Sequence, residues 1–385
     1  MYNRKLILPT CPSESFFLWG PRQTGKSTLL KKTYPDAFWI DLLKNDEFRR
    51  YSKKPELLRE ELAALSSQKI VVIDEIQKVP QLLDEVHWLI ENSNICFAMC
   101  GSSARKIKRG QANLLGGRAI RYELYGLVSS ELGKKFDLDR LLNHGYLPSH
   151  YDKSNPRRNI KAYISEYLRQ EIAAEGLVRN LSGFSYFLDA VALTDGEIVN
   201  YTNIASDCGV TSNTAKEYFQ ILQDTILGHW LPAYRKRPKR RITSSPKFYF
   251  NDIAVVNSLA KRYQIVRGSE LYGKAFENWV FHELKCYSEY SGTFYQLSYW
   301  RLTSGVEVDF IVNDMEIAIE AKASQNIKNT HLKGLREVKK DHPSVKQRII
   351  VCLDEKERLT ADGIRVLPYQ RFCELLWSGK ITSCR

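Results

Sequence analysis

The sequence predicts a multidomain α/β protein, and three observations carry that expectation. A short apolar run over residues 16–19 passes directly into Gly20-Pro21-Arg22-Gln23-Thr24-Gly25-Lys26-Ser27, after which a helical pattern begins at Thr28. Further apolar runs over 37–41, 69–75 and 95–100 do not alternate with polar residues, as expected of strands in a parallel sheet covered on both faces. Beyond Gly268 the order of elements changes to helix, three strands, helix, strand and helix, which requires a second sheet.

At roughly 150 residues per domain, a chain of 385 residues makes two or three domains. The expected divisions are a parallel-sheet domain over 1–125, a helical connector over 126–183, a helix-turn-helix segment over 184–265 and an α/β domain over 266–385. A hydrophobic fraction of 43% with 7 Trp, 21 Tyr and 16 Phe excludes a disordered chain. The 57 Lys and Arg against 44 Asp and Glu leave a net charge of +13, which points to a polyanionic partner such as a nucleotide, nucleic acid or an acidic membrane. The eight cysteines form no Cys-x-x-Cys pair and sit in apolar surroundings, so buried thiols in a reducing compartment are expected. No apolar run approaches the roughly 20 residues of a membrane helix, and residues 1–15 lack the apolar core of a signal peptide. A soluble, cytoplasmic protein with no membrane partner is the expectation.

The glycine-bracketed segment is GxxxxGK[ST] in its required setting of strand, loop and helix, the signature of a P-loop NTPase. Its glycines let the backbone of Gly20, Pro21, Arg22, Gln23, Thr24 and Gly25 wrap a phosphate, with the helix N-terminus at Ser27 and Thr28 aimed at the same charge. Lys26 is expected on the β- and γ-phosphates of ATP, and the Ser27 hydroxyl on Mg2+. The run over 69–75 ends in Asp74 and Glu75. Ligands of open α/β sheets bind at the carboxyl ends of strands, so Asp74 is assigned to Mg2+ and Glu75 to activation of the attacking water. Ser102, past the strand at 95–100, is placed to sense the γ-phosphate, a position that a turn or helix cap would fill equally well. The basic stretch Arg105, Lys106, Lys108, Arg109, Arg118 and Arg121 is either a solvated face or the source of an arginine finger, for which Arg118 behind Gly116-Gly117 is the choice.

The segments WGPRQTGKSTLL, VVIDEIQKVPQLL, CGSSARKI and LLGGRA resemble those of a widespread prokaryotic family of AAA-type P-loop ATPases that carry a C-terminal domain of unknown function. The resemblance covers essentially the whole chain. It implies a cytoplasmic ATP-binding protein with Arg118 at the family's Gly-Arg position, and it implies no particular substrate. An arginine finger acting in trans would require a homo-oligomer.

Over 126–183 apolar residues recur at three and four, as in Ile160, Tyr163, Ile164, Tyr167, Leu168 and Ile172, so helices with one buried face are expected, either as a packing connector or as a lid. Residues 201–224 carry a helix-turn-helix pattern: Ala205 in a short helix, Gly209 and Val210 at the turn, and Ser212 or Asn213 capping a helix that buries Tyr218, Phe219 and Leu222. The densest basic run follows, Arg235, Lys236, Arg237, Lys239, Arg240, Arg241 and Lys247, between aromatic segments that read as hairpin strands. A basic hairpin beside a helix-turn-helix is a winged helix, which binds DNA phosphate or, in its other common use, docks protein.

The C-terminal order of elements resembles the core of the PD-(D/E)XK nuclease superfamily, a restriction-endonuclease-like α/β fold. Strand side chains alternate, so Glu320 and Lys322 share one face, and a turn at 313–315 brings the strand of Asp309 beside them. Asp309 and Glu320 are then expected to hold Mg2+ against a scissile phosphate while Lys322 positions the attacking water. Glu277 on the preceding helix would complete the metal site, with Glu283 the poorer candidate. The other reading is an Asp/Glu/Lys network kept for structure, or a nuclease fold that does not cut. The function expected from the whole chain is an ATPase coupling its nucleotide state to a winged helix and a nuclease-like domain acting on DNA. The alternative is a regulatory ATPase whose C-terminal domains bind protein or DNA without cleavage.

Overall fold

The computed structural model describes residues 2–10, 14–64, 70–103, 105, 115–172, 178, 180–235 and 244–382. Strands β1 (Ser15–Trp19), β2 (Phe38–Asp41), β3 (Ile70–Asp74), β4 (Cys96–Gly101) and β5 (Ala119–Glu123) form a parallel sheet in the order β2-β3-β4-β1-β5. Phe17, Trp19, Ile73 and Met99 are buried on one face, and Phe16, Leu18, Val72 and Ala98 on the other, where Leu6 and Leu8 also pack. Burial of both faces is why the apolar runs do not alternate. Strand β5 escaped the sequence reading because it is an edge strand: Ile120 and Arg121 are exposed, so no apolar run marks it.

The connector is helical, with helices Leu138–His144, Arg157–Ala162 and Leu181–Leu193, the second widening into a π-type helix over Tyr163–Ile172. Leu141, Tyr163 and Phe187 share one continuous apolar core with Trp279, Phe310 and Ile319, so the connector is built onto the C-terminal half. Helices Tyr201–Asp207 and Ser212–Asp224 follow, with Gly209 at φ +63° in the turn between them and Tyr218, Phe219 and Leu222 buried. The cap is Thr211 rather than Ser212 or Asn213, its hydroxyl accepting from the Thr214 N–H at 3.1 Å. Strands β6 (Gly228–Leu231) and β7 (Lys247–Phe250) then pair antiparallel. Of the basic run between them, Lys236, Arg237, Lys239, Arg240 and Arg241 lie outside the described residues.

The long helix Glu270–Tyr290 leads into β8 (Leu297–Arg301), β9 (Glu307–Val312), β10 (Ile317–Lys322), β11 (Gln347–Cys352), β12 (Arg358–Leu359) and β13 (Ile364–Pro368). The sheet order is β12-β13-β11-β10-β9-β8, antiparallel from β8 to β10 and parallel through β10, β11 and β13. Strands β12 and β13 were not anticipated: β12 is two exposed residues, and β13 follows a tight turn at Gly363 with φ +79°. The long helix packs on the face carrying Phe310 and Ile319, while helix Lys333–Asp341 covers the other through Leu335 and Val338. Cys96, Cys100, Cys208, Cys286, Cys352 and Cys373 are free thiols. Among the described residues no helix is long and apolar enough to cross a membrane.

Candidate nucleotide site and acidic cluster

The loop leaving β1 has room only for glycine at its start, because a Cβ on Gly20 would fall 2.3 Å from the Leu124 carbonyl oxygen. Left-handed backbone at Gln23 (φ +66°) and Gly25 (φ +93°) coils the chain back before the helix α1 (Lys26–Thr33). The Thr24 hydroxyl donates to the Pro21 carbonyl at 2.9 Å. Lys26 is only 5% exposed, and its Nζ donates to the carbonyls of Gly20 at 2.8 Å and Pro21 at 3.0 Å. Burial pulls its ammonium below the ordinary value, and Glu75 and Asp74 only partly offset this. A cation held by two carbonyl dipoles of its own loop can exchange them for the stronger bonds of a phosphate. Ser27 is half-buried and Thr28 exposed in the first turn of α1. The glycine cradle, buried ammonium and adjacent helix start fit a nucleotide phosphate. The Ser27 hydroxyl and Asp74 carboxylate are the oxygen donors Mg2+ takes.

Strand order puts β4 between β1 and β3, so the tips bearing the loop, Ser102 and Asp74 stand side by side. Asp74 Oδ1 accepts from the Cys100 thiol at 2.7 Å. Glu75 sits in the left-handed region at φ +59°, a strained geometry for a side chain of this size. Its carboxylate accepts from the Gln77 amide, which also donates to Ser102 Oγ at 3.1 Å. Gln77 thus joins the tip of β3 to that of β4. Gly101 makes this possible, since a Cβ there would lie 2.1 Å from Gln77 Oε1. The sequence reading missed Gln77, whose signal was its place two residues after Glu75 in the Asp-Glu-Ile-Gln-Lys run.

A cavity of about 730 Å³ opens beside the loop, lined by Thr24, Gly25 and Thr28, by Tyr2 and Ile7 of the N-terminal segment, and by Pro148 of the connector. That volume lies in the range of small-ligand sites. The connector also touches the loop itself: Ser149 donates to Gln23 Oε1 at 2.6 Å, and the Arg22 guanidinium lies 5.5 Å from the centre of the Tyr167 ring. The sequence pattern pointed to the Thr24, Gly25 and Thr28 wall of this cavity and not to the wall of Tyr2, Ile7 and Pro148.

Arg118 is not where an arginine finger for its own site must be. Strands β1 and β5 run parallel with Ser15 beside Ala119, so Arg118 stands at the amino end of the sheet while the loop leaves the carboxyl end. The separation is about 16 Å along a five-residue strand. Arg118 pairs with Glu91 at 2.7 Å instead. Arg105 is not solvated either: it is buried and pairs with Asp224, at the end of helix Ser212–Asp224, at 2.8 Å. Lys106, Lys108 and Arg109 lie outside the described residues.

In the C-terminal sheet, Lys322 Nζ stands 2.7 Å from Glu320 Oε1 and 3.9 Å from Asp309 Oδ2. Asp309 also accepts from the Ala321 N–H at 2.8 Å. Burial, with Asp309 nearby, raises the Glu320 carboxyl to about 8. Burial raises Asp309 to about 6 against the opposing pull of Lys322. The Glu320 Oε2 atom is buried with no hydrogen-bond partner among the described residues. Glu277 does not complete a metal shell with these two. Its Oε1 accepts from Lys247 of β7 at 3.2 Å and from the Tyr249 hydroxyl at 2.6 Å, and Lys247 also pairs with Glu307. Burial alone would raise Glu277, but Lys247 and Tyr249 outweigh it and hold the carboxyl low. Among the described residues no group of three or more His, Cys, Asp or Glu is arranged to hold a metal. As folded, the cluster is an ion-paired network that carries its own cations and does not fit a preformed Mg2+ site. Glu283 faces elsewhere, accepting from the Ser129 N–H at 2.7 Å and from Trp377 Nε1 at 2.7 Å.

A parallel sheet in this order, with a glycine loop leaving β1 and a carboxylate pair at the tip of β3, defines a P-loop nucleotide-binding domain. Residues 13–133 match an AAA domain, so the N-terminal third is an AAA-type ATPase domain. Residues 135–264 match a domain of unknown function (DUF8612), and residues 272–372 match another (DUF4143). Over 307 residues the chain is 25% identical to uncharacterized proteins of Mycobacterium bovis and Mycobacterium tuberculosis. The match covers 77% of this chain and 66% of each of theirs, just under two thirds of those relatives' length. Among solved structures, the Aeropyrum pernix ORC1 protein in complex with DNA is similar at a TM-score of 0.25 and 12% identity, over 64% of this chain and 86% of that one. The replication initiator DnaA bound to AMPPCP and single-stranded DNA is similar at 0.28 and 13%, over 56% and 83%. A signal-transduction ATPase with a tetratricopeptide repeat sensor from Pyrococcus horikoshii is similar at 0.21 and 13%, over 75% and 48%.

Proposed function

We propose that this protein binds and hydrolyses ATP with Mg2+ and couples the nucleotide state to a DNA-contacting region built from the helices over 201–224 and the β6–β7 hairpin, in winged-helix fashion. The observation that carries the reading is the buried Lys26, held by loop carbonyls beside the Glu75–Gln77–Ser102 chain. ATP, when bound, supplies a γ-phosphoryl group transferable to water. The loop from Gly20 to Ser27 and the Thr28 end of α1 would hold its phosphates, with Lys26 turning from the carbonyls to the phosphate oxygens. Ser27 and Asp74 would hold the metal ion. Glu75 would take the proton of the attacking water, with Gln77 fixing its carboxylate and reporting to Ser102. The cavity between Tyr2, Ile7 and Pro148 would take the base and ribose.

Steady-state hydrolysis and ATP binding by the Lys26→Ala variant test the reading, and unchanged turnover with the fold intact would end it. For the C-terminal domain the regulatory reading is favoured by Lys247, whose ammonium pairs with Glu277, one of the three carboxylates a metal would need. The nuclease-like reading rests on the convergence of Asp309, Glu320 and Lys322. Mg2+-dependent DNA cleavage that is lost in Asp309→Ala with ATPase activity kept would reverse that preference. A cytoplasmic setting and a homo-oligomer in which Arg118 serves a neighbouring subunit belong to the same proposal.

A further inference from the structure

Arg4 precedes every motif in the chain, yet its guanidinium is 6% exposed and sits where three parts of the molecule meet. Its Nε donates to Glu131 Oε1 of the connector at 2.9 Å. One terminal nitrogen donates to the Thr24 carbonyl of the phosphate loop at 2.5 Å. The other donates to the carbonyls of Tyr125 at 2.6 Å and Gly126 at 3.1 Å, and reaches the Tyr290 hydroxyl oxygen at 3.4 Å. Tyr290 closes the long helix Glu270–Tyr290 of the C-terminal domain, and its hydroxyl also accepts from the Tyr125 N–H at 2.9 Å. Glu131 is fixed in turn by the Lys5 N–H at 2.6 Å and the Val128 N–H at 3.2 Å. Burying a guanidinium is costly unless its donors are met, and here the planar fork meets carbonyls and a carboxylate that no lysine could satisfy together. The anchoring of Leu6 and Leu8 against β1 keeps the segment in place.

We infer that Arg4 is a positioning residue of the nucleotide site, through which the C-terminal domain sets the shape of the phosphate loop and so its nucleotide affinity. The inference rests on the nucleotide-binding reading above. Thr24 immediately precedes Gly25 and Lys26, so a carbonyl pinned there fixes the loop at its turn into α1. The same guanidinium touches the last residue of a helix whose other half carries Glu277 of the acidic cluster, about 20 Å along the axis. A rod fixed at both ends transmits a shift at either one. By linkage, whatever the C-terminal domain does to nucleotide affinity, nucleotide does to the C-terminal domain.

The test is calorimetric titration of Mg·ADP onto the full chain for wild type, Arg4→Lys, Tyr290→Phe and the double variant, with amide exchange over 284–290 followed with and without ADP. Arg4→Lys keeps the charge beside Glu131 and loses the fork, and is expected to weaken ADP by roughly tenfold; Tyr290→Phe is expected to weaken it by roughly threefold. The double variant is expected to be no weaker than Arg4→Lys, because both act through one junction. Wild type should show ADP-dependent protection over 284–290 that both single variants lose. Additive effects, unchanged affinity, or protection that persists in the variants overturns the inference while leaving wild-type ADP binding intact. Should Arg4→Lys fail to fold, Tyr290→Phe decides alone by the same two readouts. Failure of wild type itself to bind ADP overturns the nucleotide reading instead.

Discussion

Two buried lysines stand among carboxylates in this molecule, and their bonding differs. Lys26 donates to backbone carbonyls of its own loop, with Glu75 and Asp74 near enough to act on its charge but not bonded to it. Lys247 is bonded to Glu277 and paired with Glu307, which hold its ammonium above the ordinary value against burial. The first lysine is bonded only to carbonyls, as the proposed phosphate contact requires, whereas the second is ion-paired within the fold. Identical residue types near acids therefore suit the proposed site in one place and a staple in the other, and the partner atoms decide which.

The largest effect that could break this comparison lies at the loop. Lys26→Ala is expected to lower ATP turnover by at least about a hundredfold with little change in melting temperature, since no carboxylate loses a bonded partner. Glu75→Gln should follow, losing about a hundredfold in turnover while retaining ADP binding, read by single-turnover kinetics beside calorimetry. Lys247→Met should do the reverse. Leaving Glu277 without its cation, while Glu307 keeps Arg301 at 2.9 Å, costs about 3 kcal/mol in urea unfolding, with ATP turnover per folded molecule unchanged. A stable Lys247→Met variant that gains Mg2+ binding would make the cluster a masked site rather than a staple.

The smallest effect concerns pH. Burial raises Glu283 and Asp195 to about 7 and Asp252 to about 6. A carboxyl with a raised value binds its proton more tightly folded than unfolded, so its stabilisation is complete below about pH 4 and is lost as pH climbs through 6 and 7. His229, His282 and His150 are held low by burial and add stability as pH rises towards about 6.5, so the fall in melting temperature from the carboxyls is expected between about pH 6.5 and pH 8. Glu283→Gln, which stays neutral, should shallow that fall, and an unchanged slope would remove Glu283 from the account.

How much was legible before the structure depended on whether the signal was local. The strand, loop and helix around Lys26 are contiguous, and so is the apolar run ending at Asp74, so both were read from spacing. The Glu320 and Lys322 pair was read in the same way, from alternation along β10. Arg4 left no trace, and Lys247 was read as the end of the basic run although it is buried and ion-paired, because their partners lie far away in sequence: Glu131 and Tyr290 for the one, Glu277 and Glu307 for the other. Arg118 was legible only in part, for a related reason. Its neighbouring glycines suggested a site, but only the parallel pairing of β5 with β1 reveals which end of the sheet it occupies.

Arg105 lies three residues beyond Ser102, and its pair with Asp224 is nearly dry, the two side chains being 5% and 11% exposed. Counterions screen exposed charges and scarcely reach buried ones. Raising the ionic strength should therefore weaken the proposed contact with DNA while leaving the tip of β4 tied to helix Ser212–Asp224. Salt becomes a way to separate what the helix learns from the nucleotide side from what it does with a polyanion outside.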